Sequence, residues 1–357
     1  MKLGLGLYRH MLTPENFQFA KQAGCSHIVA HWTNYFAQDP TLPETDGGEQ
    51  NWGVTRNQGK PWTAEELTDM RKSVEASGLK LEAIENFDPS HWYDILLDGP
   101  NRASQIETVK SNIRAIGAAG IPVMGYNFSI AGVWGHVRGK FARGDADTVA
   151  FLGDKGPKET PIPNGEIWNM TYDPGAPDGV IEPFASDELW RRLEGFLKDV
   201  VPVAEEAGVR LALHPDDPPM PTLRGTPRLV NQPHLYQKVL DLLPSRSNAI
   251  ELCMGSIQEM TEGDVYSTLE QYGRQDAIGY IHFRNVKGKV PEYYEVFVDE
   301  GDIDMVKALR VLRDIGYDGV LIPDHTPHMQ CDAPWHAGMA YAMGYMKAAM
   351  SMVRSEG

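Results

Sequence analysis

Cysteine is scarce: the 357-residue chain has three, Cys25, Cys253 and Cys331, too few and too scattered for a disulfide framework. Cations are outnumbered, with 33 Lys and Arg against 49 Asp and Glu and a formal charge of −16. Nucleic acid is bound by clustered Lys and Arg, so this balance argues against such a partner. It still admits an anionic substrate, because a metal or a few local cations reverse the sign inside a pocket. No run approaches the roughly 18 consecutive apolar residues of a membrane span, and the opening MKLGLGLYRHML lacks the apolar core of a secretory signal. No Gly-rich phosphate loop follows the first strand-like run, which counts against an open dinucleotide-binding sheet. There is no internal repeat or low-complexity tract. The expectation is a reduced, cytoplasmic protein with no membrane partner.

What is present is alternation. Short β-rich runs near 3–7, 27–31, 80–85, 122–127, 210–214, 249–253, 279–283 and 319–324 are each followed by a helical pattern. Those patterns cover 13–23, 63–77, 104–119, 186–207, 233–243, 263–272, 303–315 and 335–353. Glycine stands just before several strands (Gly24, Gly78, Gly120, Gly208, Gly316), where a left-handed residue ends a helix without a Cβ clash. Eight strands alternating with eight helices fit a closed (β/α)8 TIM barrel, a single domain over residues 1–357. Segments after strands are long, at 32–62, 128–185 and 215–232, whereas those before strands are short. In such a barrel the loops after strands gather on one face, so long loops there predict a covered pocket.

The ends of four successive strands supply the strongest signal. The fifth ends in LALHPDDPP with His214, Asp216 and Asp217, and the sixth in IELCMGS with Cys253. The seventh ends in YIHFRN with His282, and the eighth in LIPDHTPH with Asp324, His325 and His328. Singly, each has a plain structural use: a hydrogen-bonded His, a small buried Cys, a turn-forming Asp. Together, His, Cys, His and Asp at four adjacent strand ends predict one metal site. Mixed N, O and S donors suit Mn2+, Fe2+, Co2+ or Zn2+ rather than Mg2+ or Ca2+. Glu85 and Asn127 end the third and fourth strands on the same rim. Glu85 reads equally as an acid–base group or as a partner orienting a ligand His. Asn127, Asp216, Arg228 and Lys287 are candidates for holding a substrate, the two cations by pairing with a carboxylate. The aromatics Trp32, Tyr35 and Phe36 read either as pocket lining or as loop packing.

These motifs resemble the mannonate dehydratase family. The resemblance is carried by HPDDPP with the following G-x-P-R (214–228), C-x-G-S (253–256), IHF (281–283), E-x5-G-D-I-D-M (295–305) and PDH (323–325), with Glu85 and VMGYNF (123–128) upstream. It implies a xylose-isomerase-like TIM barrel that uses Mn2+ or Fe2+ to convert D-mannonate into 2-keto-3-deoxy-D-gluconate and water. It also implies His214, Cys253, His282 and Asp324 as metal ligands, His325 as an acid–base residue and Tyr341 as the counterpart of a catalytic tyrosine. The chain departs from the family pattern at Arg284–Lys287, Val298, Ile322 and Thr326–His328. Dehydration of another aldonic or uronic acid, or isomerisation or epimerisation of a sugar, are the alternatives. A small-molecule sugar acid is the expected partner, and a homo-oligomer is compatible with the sequence.

Overall fold

In the computed structural model, which describes residues 1–35, 53–55 and 59–356, eight parallel strands close into a barrel. They are β1 (Lys2–Leu7), β2 (His27–His31), β3 (Lys80–Glu85), β4 (Val123–Tyr126), β5 (Arg210–Leu213), β6 (Asn248–Cys253), β7 (Ile278–His282) and β8 (Val320–Ile322). Each pairs with its sequence neighbour, and β8 closes on β1 through Lys2 opposite Val320. The eight runs read from the sequence are these eight strands.

The helices between them begin and end where local chemistry dictates. Thr13 accepts a hydrogen bond from the Asn16 amide to start Pro14–Ala23, and Thr63 with Glu66 forms a reciprocal cap on Ala64–Ala76. Asp264 and Asp304 cap Val265–Arg274 and Met305–Asp314. The long helix Ser186–Ala207 stops at Gly208, whose φ of +69° is left-handed. The main core lies between this helical layer and the barrel wall; a second apolar cluster of Val29, Ala83, Val123, Ala212, Tyr280, Val320 and Ile322 fills the barrel itself. No helix among the described residues is long and apolar enough to cross a membrane.

The long connections carry more order than the sequence suggested. Residues 128–185 contain the antiparallel hairpin His136–Ala142 with Ala146–Phe151. A second hairpin, Asn285–Lys289 with Glu292–Val296, follows β7, and the two join through Tyr293 opposite Phe151. The resulting four-stranded sheet carries Val149 and Glu295, both in the cavity lining, over the rim where β5–β8 end. Within 215–232 a small hairpin pairs Thr222–Leu223 with Thr226–Pro227. Most of 32–62, including Phe36, lies outside the described residues.

Candidate metal centre and active site

At the C-terminal rim a cavity is lined by Tyr8, His31, Tyr35, Glu85, Asn127, His214, His282, Arg284, Glu295, Asp324 and His325, among others. His214 is the first residue past β5. Its Nδ1–H donates to the Pro215 carbonyl at 2.6 Å, which leaves Nε2 as the lone-pair nitrogen. Cys253 ends β6 and His282 ends β7, side by side in register. One donor atom from each of His214, Cys253 and His282 lies within 4.8 Å of the others. Asp324 adopts a left-handed φ of +59° just past β8, and its Oδ2 stands 3.3 Å from His282 Nδ1.

The chemistry of this set fits a divalent cation. His282 is buried between carboxylates, with Nε2 2.9 Å from Glu251 Oε1 and Nδ1 3.3 Å from Asp324 Oδ2, an anionic surrounding in which one ring nitrogen can offer its lone pair to a cation. Burial alone would raise the Cys253 thiol, yet Arg284, His214 and His282 hold it well below its ordinary range. Asp324 is likewise held low by His282 and His325 against burial. His214, whose burial favours the neutral ring, is pushed up to about 9 by Cys253 and Glu251. The Cys253 thiolate and the Asp324 carboxylate, kept ionised beside His214 and His282, favour a positive charge at this point.

Arg284 organises the anions of this region. The side chain is wholly buried, with Nε 3.1 Å from Asp324 Oδ2 and Nη2 3.3 Å from Cys253 Sγ. Its other contacts are Asp217 at 2.6 Å, Glu259 at 2.8 Å and Glu295 at 3.0 Å. The C-x-G-S motif reads directly in these terms. Cys253 supplies sulfur, Ser256 donates to Asp217 at 3.1 Å, and a Cβ on Gly255 would stand 2.7 Å from the Arg284 guanidinium carbon. Tyr293 on the covering sheet donates to Asp217 at 2.7 Å and lies 2.6 Å from His136.

His325 is half-exposed at the cavity mouth. Its Nδ1 stands 3.2 Å from Glu295 Oε1 and its Nε2 3.5 Å from Asp324 Oδ1. Burial lowers its pKa, but Asp324 and Glu295 raise it to about 9. Glu85 lies 3.4 Å from His282 and accepts from Tyr280 at 3.0 Å; burial opposes its charge, yet His31 and His282 hold it down at about 2. Asn127 lines the same cavity and donates to Asn86 at 3.0 Å. Tyr35 lines it too, whereas Trp32 stacks under the Arg9 guanidinium at 3.5 Å.

Four expected site residues are not brought into this cavity. Asp216 accepts from the amides of Leu229 and Val230 and pairs with Arg228 at 3.0 Å. Arg228, 2% exposed, spends its remaining donors on Ser129, Gly132 and Asp217, so the pair ties the 215–232 connection to the 128–132 segment. Lys287 pairs with Glu300 at 2.9 Å on the half-exposed side of its hairpin. Tyr341 packs edge-on against Phe297, with its hydroxyl 3.5 Å from Arg143. Conversely, sequence reasoning gave no site role to Arg284, Glu251 or Glu295. Glu251 was readable: two residues before Cys253 on one strand, it must share the same face.

Comparison with known proteins identifies the family. The D-mannonate dehydratase (UxuA) family matches residues 44–155 and 180–354. A mannonate dehydratase from Streptococcus suis (strain 05ZYH33) is 35% identical over 277 residues, 75% of either chain. The crystal structure of mannonate dehydratase from Streptococcus suis serotype 2 superposes with a TM-score of 0.78 at 27% identity, covering 100% of this chain and 94% of that one. An L-ribulose 3-epimerase structure, at 16% identity and a TM-score of 0.57 over 99% of this chain and 96% of its own, shares the fold. By the extent of these matches, the chain belongs to the D-mannonate dehydratase family of hydro-lyases.

Proposed function

We propose that the chain dehydrates D-mannonate to 2-keto-3-deoxy-D-gluconate and water, using one Mn2+ or Fe2+ held by His214, Cys253, His282 and Asp324. The observation that carries this reading is the convergence of His214, Cys253 and His282 donors within 4.8 Å, beside the acid–base candidate His325. When bound, the ion supplies Lewis-acid stabilisation of the negative charge that develops as the proton next to the carboxylate leaves.

The chain's own groups do the rest. Glu295 holds the His325 ring through Nδ1, and Nε2, 3.5 Å from Asp324 Oδ1, is the nitrogen that exchanges a proton with the substrate. Loss of the C2 proton and of the C3 hydroxyl as water leaves an enol, which tautomerises to the 2-keto acid. Glu85, close to His282 and Tyr280, supports the reading in which it orients a metal-binding His. The covering sheet, with Val149 and Glu295 in the lining, limits water around the reacting atoms. We also propose that residues 1–357 act as one domain, since the amino terminus bonds the Tyr317 carbonyl and Arg354 bonds the Met1 carbonyl.

The test is chelator-treated protein given D-mannonate with and without added Mn2+ or Fe2+, followed by a colour reaction for 2-keto-3-deoxy acids. Product should form only with the ion. Conversion of free sugars with none of D-mannonate would move the chain to the isomerase and epimerase reading.

A further inference from the structure

Removing water from a 2,3-dihydroxy acid takes two proton transfers, one from C2 and one to the departing C3 hydroxyl. His325 serves one of them, and Tyr341, packed against Phe297, is not placed for the other. The alternation of the barrel strands offers a partner. Val29, Ala83, Ala212, Tyr280 and Ile322 fill the interior, and two residues beyond each stand His31, Glu85, His214, His282 and Asp324. His31, at the end of β2, therefore shares the top layer of the barrel with the metal-binding residues.

Its surroundings hold one ring nitrogen and leave the other. Nδ1 stands 3.0 Å from the Tyr35 hydroxyl, whose oxygen also accepts from Asn86 at 3.0 Å, and 3.7 Å from Glu85 Oε1. The Tyr8 ring lies against the imidazole, with centroids 4.9 Å apart. Among the described residues Nε2 makes no hydrogen bond. With Nδ1–H directed at Tyr35 and Glu85, Nε2 carries the lone pair. Burial lowers the His31 pKa further than Glu85 raises it, so the ring stays neutral near neutral pH. Glu85 also ties this ring to the metal site: its other oxygen, Oε2, is 3.4 Å from His282 Nε2, so one carboxylate separates the two imidazoles. On the opposite side only β1 lies between β2 and β8. The strands leading to His31 and His325 are thus about 9–10 Å apart, and both rings line the same cavity. Two imidazoles reaching inward across that gap leave room for one carbon chain between them.

We infer that His31 is a catalytic residue, its Nε2 taking the C2 proton of the sugar acid. This rests on the dehydratase reading above. The electron pair of the C2–H bond becomes the C2–C3 double bond as the C3–O bond breaks, and the hydroxyl leaves as water with a proton from His325. The enol then tautomerises to the 2-keto acid, and water takes the proton gained by His31 and restores the one lost by His325.

The experiment compares metal-loaded wild type, His31→Asn and His31→Gln on D-mannonate and on 3-deoxy-3-fluoro-D-mannonate, whose fluoride leaves without needing a proton. KM and metal content are measured alongside. Both variants should lose about 10²–10⁴ in kcat on either substrate, with KM and metal content near wild type. Fluoride release at the wild-type rate by a variant that no longer dehydrates D-mannonate would make His31 the acid and overturn the inference. Loss of metal, with turnover restored by excess Mn2+, would reduce His31 to a support for Glu85 and overturn it too. Unchanged kcat overturns the inference alone, whereas wild type inert on D-mannonate overturns the dehydratase reading with it. Should neither variant fold, a crystal of metal-loaded wild type soaked with 2-keto-3-deoxy-D-gluconate decides. Nε2 within about 4 Å of C2 supports the inference, and any longer separation overturns it.

Discussion

Replacing Arg284 by methionine removes a wholly buried guanidinium that touches Cys253, Asp324, Asp217, Glu259 and Glu295 at 2.6–3.3 Å. Methionine keeps much of the volume, so the perturbation is mainly one of charge and hydrogen bonding. Removing one partner of a buried ion pair costs about 3–5 kcal/mol, because the other is left uncompensated. Here the burden is shared. Burial and Asp217 already hold Glu259 well above the ordinary carboxylate range, so the neutral form absorbs part of the loss. The low end of that range, at about 2–4 °C per kcal/mol, gives a fall in Tm of roughly 6–12 °C. Cys253 and Asp324 also lose their shared donor, and metal affinity should drop about 10- to 100-fold. Arg284→Lys, which keeps the charge but not the fork, should fall between wild type and Arg284→Met. Calorimetry and metal content after gel filtration measure both effects. Arg284→Met melting within about 2 °C of wild type, with full metal content, would refute the reasoning.

Other substitutions separate the roles assigned above. Cys253→Ser should keep the fold but lose metal affinity, since a hydroxyl is a poorer soft donor than a thiolate; unchanged metal content would reduce Cys253 to a packing residue. His325→Asn should cut turnover by about 10²–10⁴ with metal retained, and wild-type turnover at saturating metal would remove His325 from the chemistry. Arg228→Ala should lower Tm yet leave KM for D-mannonate unchanged at a permissive temperature, because its donors are spent on Asp216, Ser129 and Gly132. A raised KM with unaltered melting would restore it to the substrate site.

The barrel was legible because its signals are local. Thr13, Thr63, Asp264 and Asp304 cap helices through their own neighbours, and Gly24 and Gly208 end helices by backbone freedom alone. Strand ends then put His214, Cys253 and His282 on one rim with no need to know any loop. The covering sheet was not legible, since it pairs 146–151 with 292–296, segments about 140 residues apart whose short runs carry no mark of each other. Arg284 depended on that sheet: it is turned inward just before the hairpin strand Asn285–Lys289, a stretch that carries no strand signal of its own. Asp216 and Arg228 stand on the correct rim, but loop closure turns them toward backbone amides and each other. Tyr341 belongs to a readable helix whose rotation depends on packing against Phe297.

The most direct test of the central claim is anomalous diffraction at the manganese edge from a Mn2+-loaded crystal. One peak per chain is expected, within about 2.0–2.4 Å of donor atoms from His214, Cys253, His282 and Asp324. A peak elsewhere, or these four side chains dispersed around an ion-free cavity in fully loaded protein, would contradict it.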